Sequence, residues 1–407
     1  MQGARVWQSP LKYLQHGGLI KDAGRMVQQT FPRAQRASLI ISKRARGSAE
    51  GKLLIDSFRD PLVIEYEGEC SREGVNLVTE MCRANGVDHV VAFGGGKLID
   101  VGKLVANEIN GYSVVIPSVA STDAPCTALS VLYTPTGEFD EYVFFSKGPD
   151  VVLVDSEVLL ASPLRFTVCG MGDAMSTYYE ARAVSNNPEA ANLISPFCFR
   201  PTSAVLAVSR QCRDTLFTDS ADAIKSIKSG EMSNAFENIV EAGILMSGLG
   251  AESGGLAAAH AIHNGLAELP ETHKMYHGEK VAFGTLCHLM LEGDDTEARR
   301  VFEYNKMVGL PTCFADLGVL ITPEKLKVVA NKTMAEGSSI YNMRAGLTEE
   351  DIIECMMKAD GLPAAAAAAR SVLAAAAKAD LAAKAKAAAA KSADAVPAKS
   401  ADAVPAV

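Results

Sequence analysis

The chain has 407 residues, enough for two or three domains that each bury a core. It carries 39 Lys+Arg against 48 Asp+Glu, a formal net charge of -9. This acidic balance argues against a protein that binds nucleic acid through the phosphate backbone. The sequence contains no apolar run of the length and character of a membrane-spanning helix, so we expect a soluble protein with no membrane partner.

The nine cysteines are irregularly spaced, and none forms a Cys-x-x-Cys pair. This usage is typical of a reducing compartment and not of a disulfide scaffold or a thiolate zinc site. The N-terminal residues lack the apolar stretch of a secretory signal. We therefore expect a cytoplasmic location, with an organelle as the alternative.

Short β-branched runs alternate with helix-length stretches in the N-terminal part of the chain. The runs are SLIIS (38–42), DHVVAFGGG (88–96), SVVIPSV (113–119) and VVLVD (151–155). Helix-sized crossovers between buried strands predict an α/β domain with a parallel sheet over residues 1–162, a layout typical of nucleotide binding. The segment ALSVLYTPTGEFDEYVFF (128–145) predicts a hairpin of two antiparallel strands.

Residues 163–362 contain few β-rich runs and long helix-compatible segments, which predicts an all-α second domain. Beyond this point, residues 363–407 are rich in alanine, and KSADAVPA occurs twice, at 391–398 and 399–406. We expect a helix over residues 364–390 followed by a flexible tail. A solvated extension is the simplest interpretation of the tail, and a role in interaction or assembly is the alternative.

Three glycines and a lysine follow a buried strand. Gly94, Gly95, Gly96 and Lys97 precede a helix-compatible run that begins at Leu98. Glycines let backbone N–H groups approach an anion, and a helix N-terminus favours negative charge, so this loop predicts a pyrophosphate site. The spacing matches neither G-x-G-x-x-G nor a Walker A loop. A tight turn with a solvated lysine is the alternative.

Four of the seven histidines lie between residues 260 and 277, namely His260, His263, His273 and His277. Two imidazoles and a carboxylate leave a divalent metal ion an open position for a substrate oxygen, as catalytic zinc requires. The candidate carboxylate is Asp173, which is flanked by glycines in GMGDA. The alternatives are hydrogen-bonded core histidines and a helix N-cap role for the aspartate.

Five motifs stand in one order along the chain: the glycine loop, STDAPCTALSVLYT (121–134), GMGDA (170–174), GGLAAAHAIHNG (254–265) and HGEKVAFGT (277–285). Together they resemble the glycerol dehydrogenases of the iron-containing (group III) alcohol dehydrogenase superfamily, over about residues 4–360. The resemblance implies a dinucleotide-binding α/β domain and a helical domain in a dehydroquinate synthase-like fold. It also implies an active site in the cleft between the domains and a homo-oligomer, often an octamer.

The resemblance also implies roles for individual residues. Asp173, His260 and His277 match the metal ligands, with Zn²⁺ the usual ion and Fe²⁺ the alternative. Asp123 matches a residue that contacts the substrate hydroxyls, and His263 matches a histidine placed to relay the alcohol proton. The implied dinucleotide contacts are Gly95, Gly96 and Lys97 at the pyrophosphate, and Ser118, Ser121, Thr127, Leu129 and Tyr133 along the nicotinamide and its ribose.

The activity implied is oxidation of glycerol or a related vicinal diol to dihydroxyacetone, with hydride transfer to NAD. One alternative is a dehydroquinate-synthase-like lyase, but its phosphate and carboxylate substrate would need clustered Lys and Arg. Another is a catalytically silent structural subunit that retains the fold. The presence of the three candidate ligands and of Asp123 weighs against the silent subunit.

One departure from the family pattern concerns the choice of dinucleotide. Members commonly carry an acidic residue at the end of the second strand, whereas this chain reads Ile41, Ser42, Lys43 and Arg44. Two cations in place of a carboxylate remove the repulsion that excludes a 2′-phosphate, which makes NADP use a hypothesis. A basic surface turn, with NAD bound through its other contacts, is the alternative.

Overall fold

The computed structural model describes residues 3–192 and 199–365. A six-stranded parallel sheet with the strand order β2-β9-β6-β5-β3-β4 lies at the centre of the N-terminal part. The strands are β1 (Arg5–Val6), β2 (Lys12–His16), β3 (Ala37–Ile41), β4 (Leu62–Glu65), β5 (His89–Gly94), β6 (Tyr112–Pro117), β7 (Leu129–Tyr133), β8 (Phe139–Phe144), β9 (Val151–Asp155) and β10 (Arg200–Pro201).

Helices connect these strands and dominate the chain after β9. They are α1 (Ala23–Thr30), α2 (Lys43–Gly47), α3 (Ala49–Ser57), α4 (Arg72–Ala84), α5 (Gly96–Glu108), α6 (Ser156–Leu160), α7 (Leu164–Asn186), α8 (Ser203–Ser229), α9 (Asn234–Glu241), α10 (Ser247–Leu249), α11 (Ala258–Leu266), α12 (His277–Glu292), α13 (Asp295–Val308), α14 (Pro323–Thr333) and α15 (Glu349–Asp360). Within the described residues, no helix has both the length and the apolar character needed to cross a membrane.

The predicted parallel sheet and the predicted helical part are both confirmed. The four β-branched runs become β3, β5, β6 and β9, the inner strands of the sheet. Because successive side chains of a strand point to opposite faces, Val90 and Ala92 of β5 pack into an apolar cluster with α4 and α5. Val91 and Phe93 pack into a second cluster with α1 and α3. The sheet is therefore covered by helices on both faces, as a parallel sheet requires.

The predicted hairpin is present as the antiparallel pair β7 and β8, which lies apart from the main sheet. Its strands pair from Leu129 opposite Phe144 to Tyr133 opposite Phe139, with an irregularity between Leu132 and Tyr133. The turn contains Gly137, whose φ of 89° lies in the left-handed region that favours glycine. The sequence correctly indicated this turn.

Residues up to 360 form one compact unit, and a second unit begins at residue 361. The domain boundary expected between residues 162 and 163 stays a prediction. The predicted helix at 364–390 lies outside the described residues except for its first two positions. Both KSADAVPA repeats lie outside the described residues altogether.

A buried carboxylate joins three separate segments of the compact unit. Glu252 lies in a π-helical turn, Gly250–Gly254, and is 4% exposed. Its Oε1 accepts hydrogen bonds from the backbone N–H of Ala128 at 2.7 Å and from the side-chain amide of Gln8 at 3.3 Å. Within the described residues, Oε2 has no hydrogen-bond partner. Burial raises the pKa of Glu252 to about 7, because desolvation penalises the charged form.

This raised pKa predicts a loss of stability as the pH increases. The pKa of Glu252 is about 7 in the folded protein, against 4.5 for an ordinary glutamate. Protonation of Glu252 therefore stabilises the folded state relative to the unfolded state. This contribution is fully present below pH 4.5 and is lost as the pH rises through 7. Glu252→Gln stays neutral, so we expect it to raise the free energy of unfolding in urea at pH 8 by up to about 3 kcal/mol and to change it little at pH 4.5.

The control variant is Glu336→Gln, which neutralises an exposed glutamate. It should change the free energy of unfolding only slightly at either pH. Equal gains for Glu252→Gln at the two pH values would contradict the prediction.

Candidate metal centre and active site

Asp173 lies in the interior of α7, which begins well before it at Leu164. The alternative interpretation of Asp173 as a helix N-cap is therefore wrong. Its side chain is buried, and Oδ1 lies 3.1 Å from Nε2 of His277 and 3.4 Å from Nε2 of His260. Burial by itself would raise the pKa of Asp173, but the two imidazoles hold it below its usual range.

The three candidate ligands converge on one point. One donor atom each from Asp173, His260 and His277 lies within 4.8 Å of the other two. A carboxylate and two imidazoles suit Zn²⁺ or Fe²⁺, and three protein ligands leave a position open for substrate. The donor set thus fits a catalytic divalent ion. His273, which belongs to the same run of histidines, is exposed and is not part of this group.

A second carboxylate on the same face of α7 orients one imidazole. Glu180 follows Asp173 by two helical turns and is fully buried. Its Oε2 lies 2.6 Å from Nδ1 of His260, while Oε1 accepts the backbone N–H groups of Ala257 at 2.8 Å and His260 at 3.0 Å. Engaging Nδ1 directs Nε2 towards Asp173 and fixes the tautomer. Sequence reasoning missed this residue, although its two-turn spacing from Asp173 was a usable signal.

His277 reaches Asp173 because α12 approaches the backbone of α7 directly. A Cβ atom at Gly278 would lie 2.0 Å from the carbonyl oxygen of Cys169 and 2.9 Å from the backbone nitrogen of Asp173. Only glycine allows this approach. The contact places His277, the first residue of α12, beside the carboxylate.

His263 lies one helical turn after His260 on α11, and its ring centroid is 4.2 Å from that of His277. Burial, followed by the positive charges of His277 and Lys280, lowers the pKa of His263 well below its usual range. The imidazole is therefore neutral near pH 7. Its Nδ1 lies 3.0 Å from Oδ1 of Asn264.

Asp123 precedes a short 3-10 helix, Ala124–Cys126, in the connection from β6 to β7. Its Oδ2 accepts a hydrogen bond from the hydroxyl of Ser247 at 2.8 Å. Burial, followed by the negative charge of Asp173, raises the pKa of Asp123 to about 6. The carboxylates of Asp173, beside the imidazoles, and of Asp123, in the connection from β6 to β7, thus influence each other's ionisation.

The glycine loop lies between the end of β5 at Gly94 and the start of α5 at Gly96, so the helix begins two residues earlier than the sequence indicates. Gly95 is the N-cap and offers no side chain to cap the first turn. Cβ atoms at Gly95 and Gly96 would have their nearest neighbours at 3.6 Å and 3.7 Å. The backbone is therefore accessible at a helix N-terminus, where an anion is favoured.

The side chain of Lys97 extends from this first turn towards the hairpin. Its Nζ pairs with Oε1 of Glu69 at 2.6 Å and lies 5.8 Å from the ring centroid of Tyr133. Two of the predicted dinucleotide residues, Lys97 and Tyr133, therefore lie next to each other at the N-terminus of α5.

The remaining predicted dinucleotide residues lie on the segment between β6 and β7. The backbone N–H of Ser118 donates to the carbonyl of Gly94 at 2.9 Å, which attaches the start of this segment to the glycine loop. Ser121 is partly buried, Thr127 is buried, and Leu129 opens β7. The segment also carries Asp123, so the candidate substrate residue lies on backbone that is hydrogen-bonded to the glycine loop.

The chain is similar to known proteins over most of its length. Residues 10–156 match the model of the iron-containing alcohol dehydrogenase family. The chain is 38% identical over 362 residues to a glycerol dehydrogenase of Escherichia coli O6:H1, covering 88% of this chain and 96% of that protein. It is 39% identical over 368 residues to a glycerol dehydrogenase of Pseudomonas putida, covering 88% and 98%.

A solved structure gives the same result for the fold. The crystal structure of glycerol dehydrogenase from Schizosaccharomyces pombe matches with a TM-score of 0.82 at 31% identity, covering 88% of this chain and 91% of that one. The chain belongs to the iron-containing alcohol dehydrogenase family, a family of oxidoreductases.

The contact between α7 and α12 predicts the effect of one added methyl group. In Gly278→Ala the new Cβ meets backbone atoms of α7, which cannot move aside as the end of a side chain can. We expect the free energy of unfolding to fall by about 1–3 kcal/mol. We also expect the affinity for Zn²⁺, measured by titration calorimetry, to fall roughly ten-fold or more, because His277 is displaced.

The control is Gly243→Ala, since a Cβ at this helical glycine would meet no described atom within 4 Å. This variant should keep wild-type stability and Zn²⁺ affinity. Equal losses in the two variants would show that the approach of α12 to α7 is not what positions His277.

Proposed function

We propose that the protein is a metal-dependent, NAD-linked dehydrogenase that oxidises glycerol, or a closely related vicinal diol, to dihydroxyacetone. The observation that carries the proposal is the group of Asp173, His260 and His277, whose aspartate is buried and whose imidazoles are partly buried. The charge of Asp173 also influences the ionisation of a second carboxylate, Asp123. The identity to glycerol dehydrogenases along nearly their whole length supports the substrate class.

The metal ligands in this proposal are Asp173, His260 and His277, and the proposed ion is Zn²⁺, with Fe²⁺ the alternative. An ion bound there supplies a Lewis acid that makes a hydroxyl proton easier to remove. Glu180 contributes by holding Nδ1 of His260, so that Nε2 stays available on the metal side.

Two further residues act on the substrate in this proposal. Asp123, with a pKa of about 6, is mainly a carboxylate at pH 7.5 or above and accepts hydrogen bonds from substrate hydroxyls. A vicinal diol offers two adjacent hydroxyls to such an acceptor, which favours glycerol over a simple alcohol. The neutral imidazole of His263 accepts the proton released from the alcohol and passes it outward.

In this proposal, α5 and the segment between β6 and β7 would hold the dinucleotide. Backbone N–H groups at Gly95 and Gly96, with Lys97 beside them, bind the pyrophosphate, and the residues from Ser118 to Tyr133 line the nicotinamide end. The nicotinamide, once bound, is the hydride acceptor. The protein's part is to hold its ring in near-contact with the carbinol carbon.

The two alternative functions are not favoured. The family is one of oxidoreductases, which weighs against a lyase. The three candidate ligands converge, and Glu180 orients His260 within the group. A donor set suited to a divalent ion weighs against a silent subunit.

The test is a substrate and cofactor panel on the zinc-loaded full chain. We expect glycerol-dependent formation of reduced nicotinamide, followed by its absorbance, and a loss of at least about 1,000-fold in kcat/KM for His277→Ala. His273→Ala is the matched control, because this exposed histidine lies in the same run outside the ligand group. No reduction with either cofactor, or an active His277→Ala variant, would overturn the proposal.

The structure also bears on the choice between NAD and NADP. The backbone N–H of Lys43 donates to Oε1 of Glu67 at 2.6 Å, and Arg46 pairs with Glu65 at 2.6 Å. Two carboxylates from the end of β4 thus lie beside the end of β3, the place where members of the family commonly carry an acid. A 2′-phosphate would meet the negative charge of Glu67 there, so we infer that NAD is preferred over NADP.

Removing this carboxylate predicts a change in cofactor preference. We expect kcat/KM to favour NAD over NADP in the wild type, and Glu67→Gln to raise kcat/KM for NADP by roughly ten-fold with little change for NAD. Glu80→Gln, on the exposed face of α4, controls for the loss of one negative charge. A wild-type preference for NADP would show that Lys43 and Arg44 determine the choice instead.

The proposal extends to assembly and location. The family resemblance implies a homo-oligomer, often an octamer. The cysteine usage favours the cytoplasm, with an organelle as the alternative. Light scattering on the purified full chain measures the first property, and fractionation of cells measures the second.

A further inference from the structure

A buried lysine on α5 binds the segment between β6 and β7. Lys103 is 3% exposed, and its Nζ donates hydrogen bonds to the backbone carbonyl oxygens of Ala124 at 2.9 Å and Leu129. A longer contact of 3.4 Å reaches the carbonyl of Thr127. One ammonium group therefore engages three carbonyls of a short, largely buried stretch of backbone.

The charge of Lys103 is paired within α5. Oδ1 of Asp100, one helical turn earlier, lies 2.9 Å from Nζ of Lys103, and both side chains are nearly inaccessible to solvent. Oδ2 of Asp100 accepts the backbone N–H of Val131 at 3.1 Å, and its backbone carbonyl accepts the hydroxyl of Ser130 at 3.1 Å. A buried charge persists only with such partners, so the pair is a specific connection between α5 and residues 124–131.

This connection joins two parts of the proposed active site. The N-terminus of α5 is the glycine loop, and the middle of the same helix holds the segment that carries Asp123, Thr127 and Leu129. A helix is rigid over this length. Lys103 and Asp100 therefore connect residues 124–131, through α5, to the glycine loop.

We propose that Lys103, paired with Asp100, is a positioning residue for hydride transfer. It holds residues 123–131 in register with the glycine loop, so that the nicotinamide and the substrate hydroxyls meet at the right distance. Lys103 acts through the backbone it binds. The inference rests on the proposed function, because hydride transfer is the step that this positioning serves. A displacement of about 1 Å at reacting groups costs on the order of 100-fold in rate.

The test variant is Asp100→Asn with Lys103→Met, which removes both charges together and leaves neither unpaired. The new amide oxygen at position 100 can still accept the N–H of Val131. We expect kcat for glycerol oxidation to fall about 30- to 100-fold, because the segment is no longer held. The dissociation constant of ADP-ribose, which lacks the nicotinamide, should change less than about three-fold, because the glycine loop is intact.

The matched control is Asp150→Asn with Lys147→Met. This pair also lies three residues apart, with a buried aspartate that is 2.6 Å from the lysine and accepts the backbone N–H of Ser113. In the described structure, the hydrogen bonds of these two side chains join them to each other and to the backbone of Ser113, and not to residues 124–131. We expect kcat to stay within about two-fold of wild type.

Two further measurements make the inference independent of one variant. Lys103→Gln keeps an N–H donor for the carbonyl oxygens. It replaces the double variant if the double variant does not fold. We expect its kcat to fall by less than that of the double variant. Hydrogen exchange at the amides of residues 126–131 should be faster in the tested variant than in wild type. An unchanged kcat with unchanged exchange overturns the inference, as does an equal loss of kcat and ADP-ribose affinity.

The exchange measurement also separates this inference from the proposed function. A wild-type protein that fails to oxidise glycerol overturns the proposed function. In that case, hydrogen exchange at residues 126–131 still shows whether Lys103 holds the segment. If exchange is the same in the variant and the wild type, Lys103 does not hold the segment, whatever the reaction is.

Discussion

The buried negative charge of Asp173 is the constraint on which the candidate active site depends. A carboxylate in the interior of a helical layer is strongly unfavourable without partners, and here the partners are imidazoles from two other helices. Meeting that requirement brings α7, α11 and α12 together at one point. Gly278 makes the approach of α12 possible, and Glu180 holds the imidazole supplied by α11. The same arrangement that satisfies the charge produces a donor set for a divalent ion.

The connection between β6 and β7 depends on buried polar side chains in a comparable way. Its backbone lies inside the protein, where each N–H and C=O group needs a partner. Lys103 of α5 supplies the donor for the carbonyls, and Glu252 from the helical part supplies the acceptor for the N–H of Ala128. One segment is thus held by an ammonium group on one side and by the carboxyl group of Glu252 on the other. Asp123 lies in the middle of the same connection, where it accepts a hydrogen bond from Ser247 of the helical part.

The sequence predicted those features that depend on local patterns. The inner strands β3, β5, β6 and β9 lie in β-branched runs and were predicted. The edge strands were not: β2 is more polar, and β4 has only four residues. The histidine run indicated the metal centre, but exposed His273 shows that proximity in sequence alone does not select ligands. The glycines around Asp173 suggested a helix start; instead, Gly172 leaves room for the backbone of α12. Glu180 was missed because His260, which it orients, lies 80 residues away in the sequence. Lys103 was missed because the carbonyl groups that it binds lie 21 residues or more away.

The end of β3 shows why such distant partners matter for specificity. The end of β3 by itself, with Ser42, Lys43 and Arg44, indicates that the negative charge has been lost. Parallel neighbours, however, end at the same edge of a sheet, and the register that pairs Ile41 with Glu65 brings the acids that follow β4 to the same place. A dinucleotide meets the summed charge of that edge and not the last residue of any one strand. The electrostatic environment is therefore a property of the strand pair, which the sequence reveals only once the strand order is known.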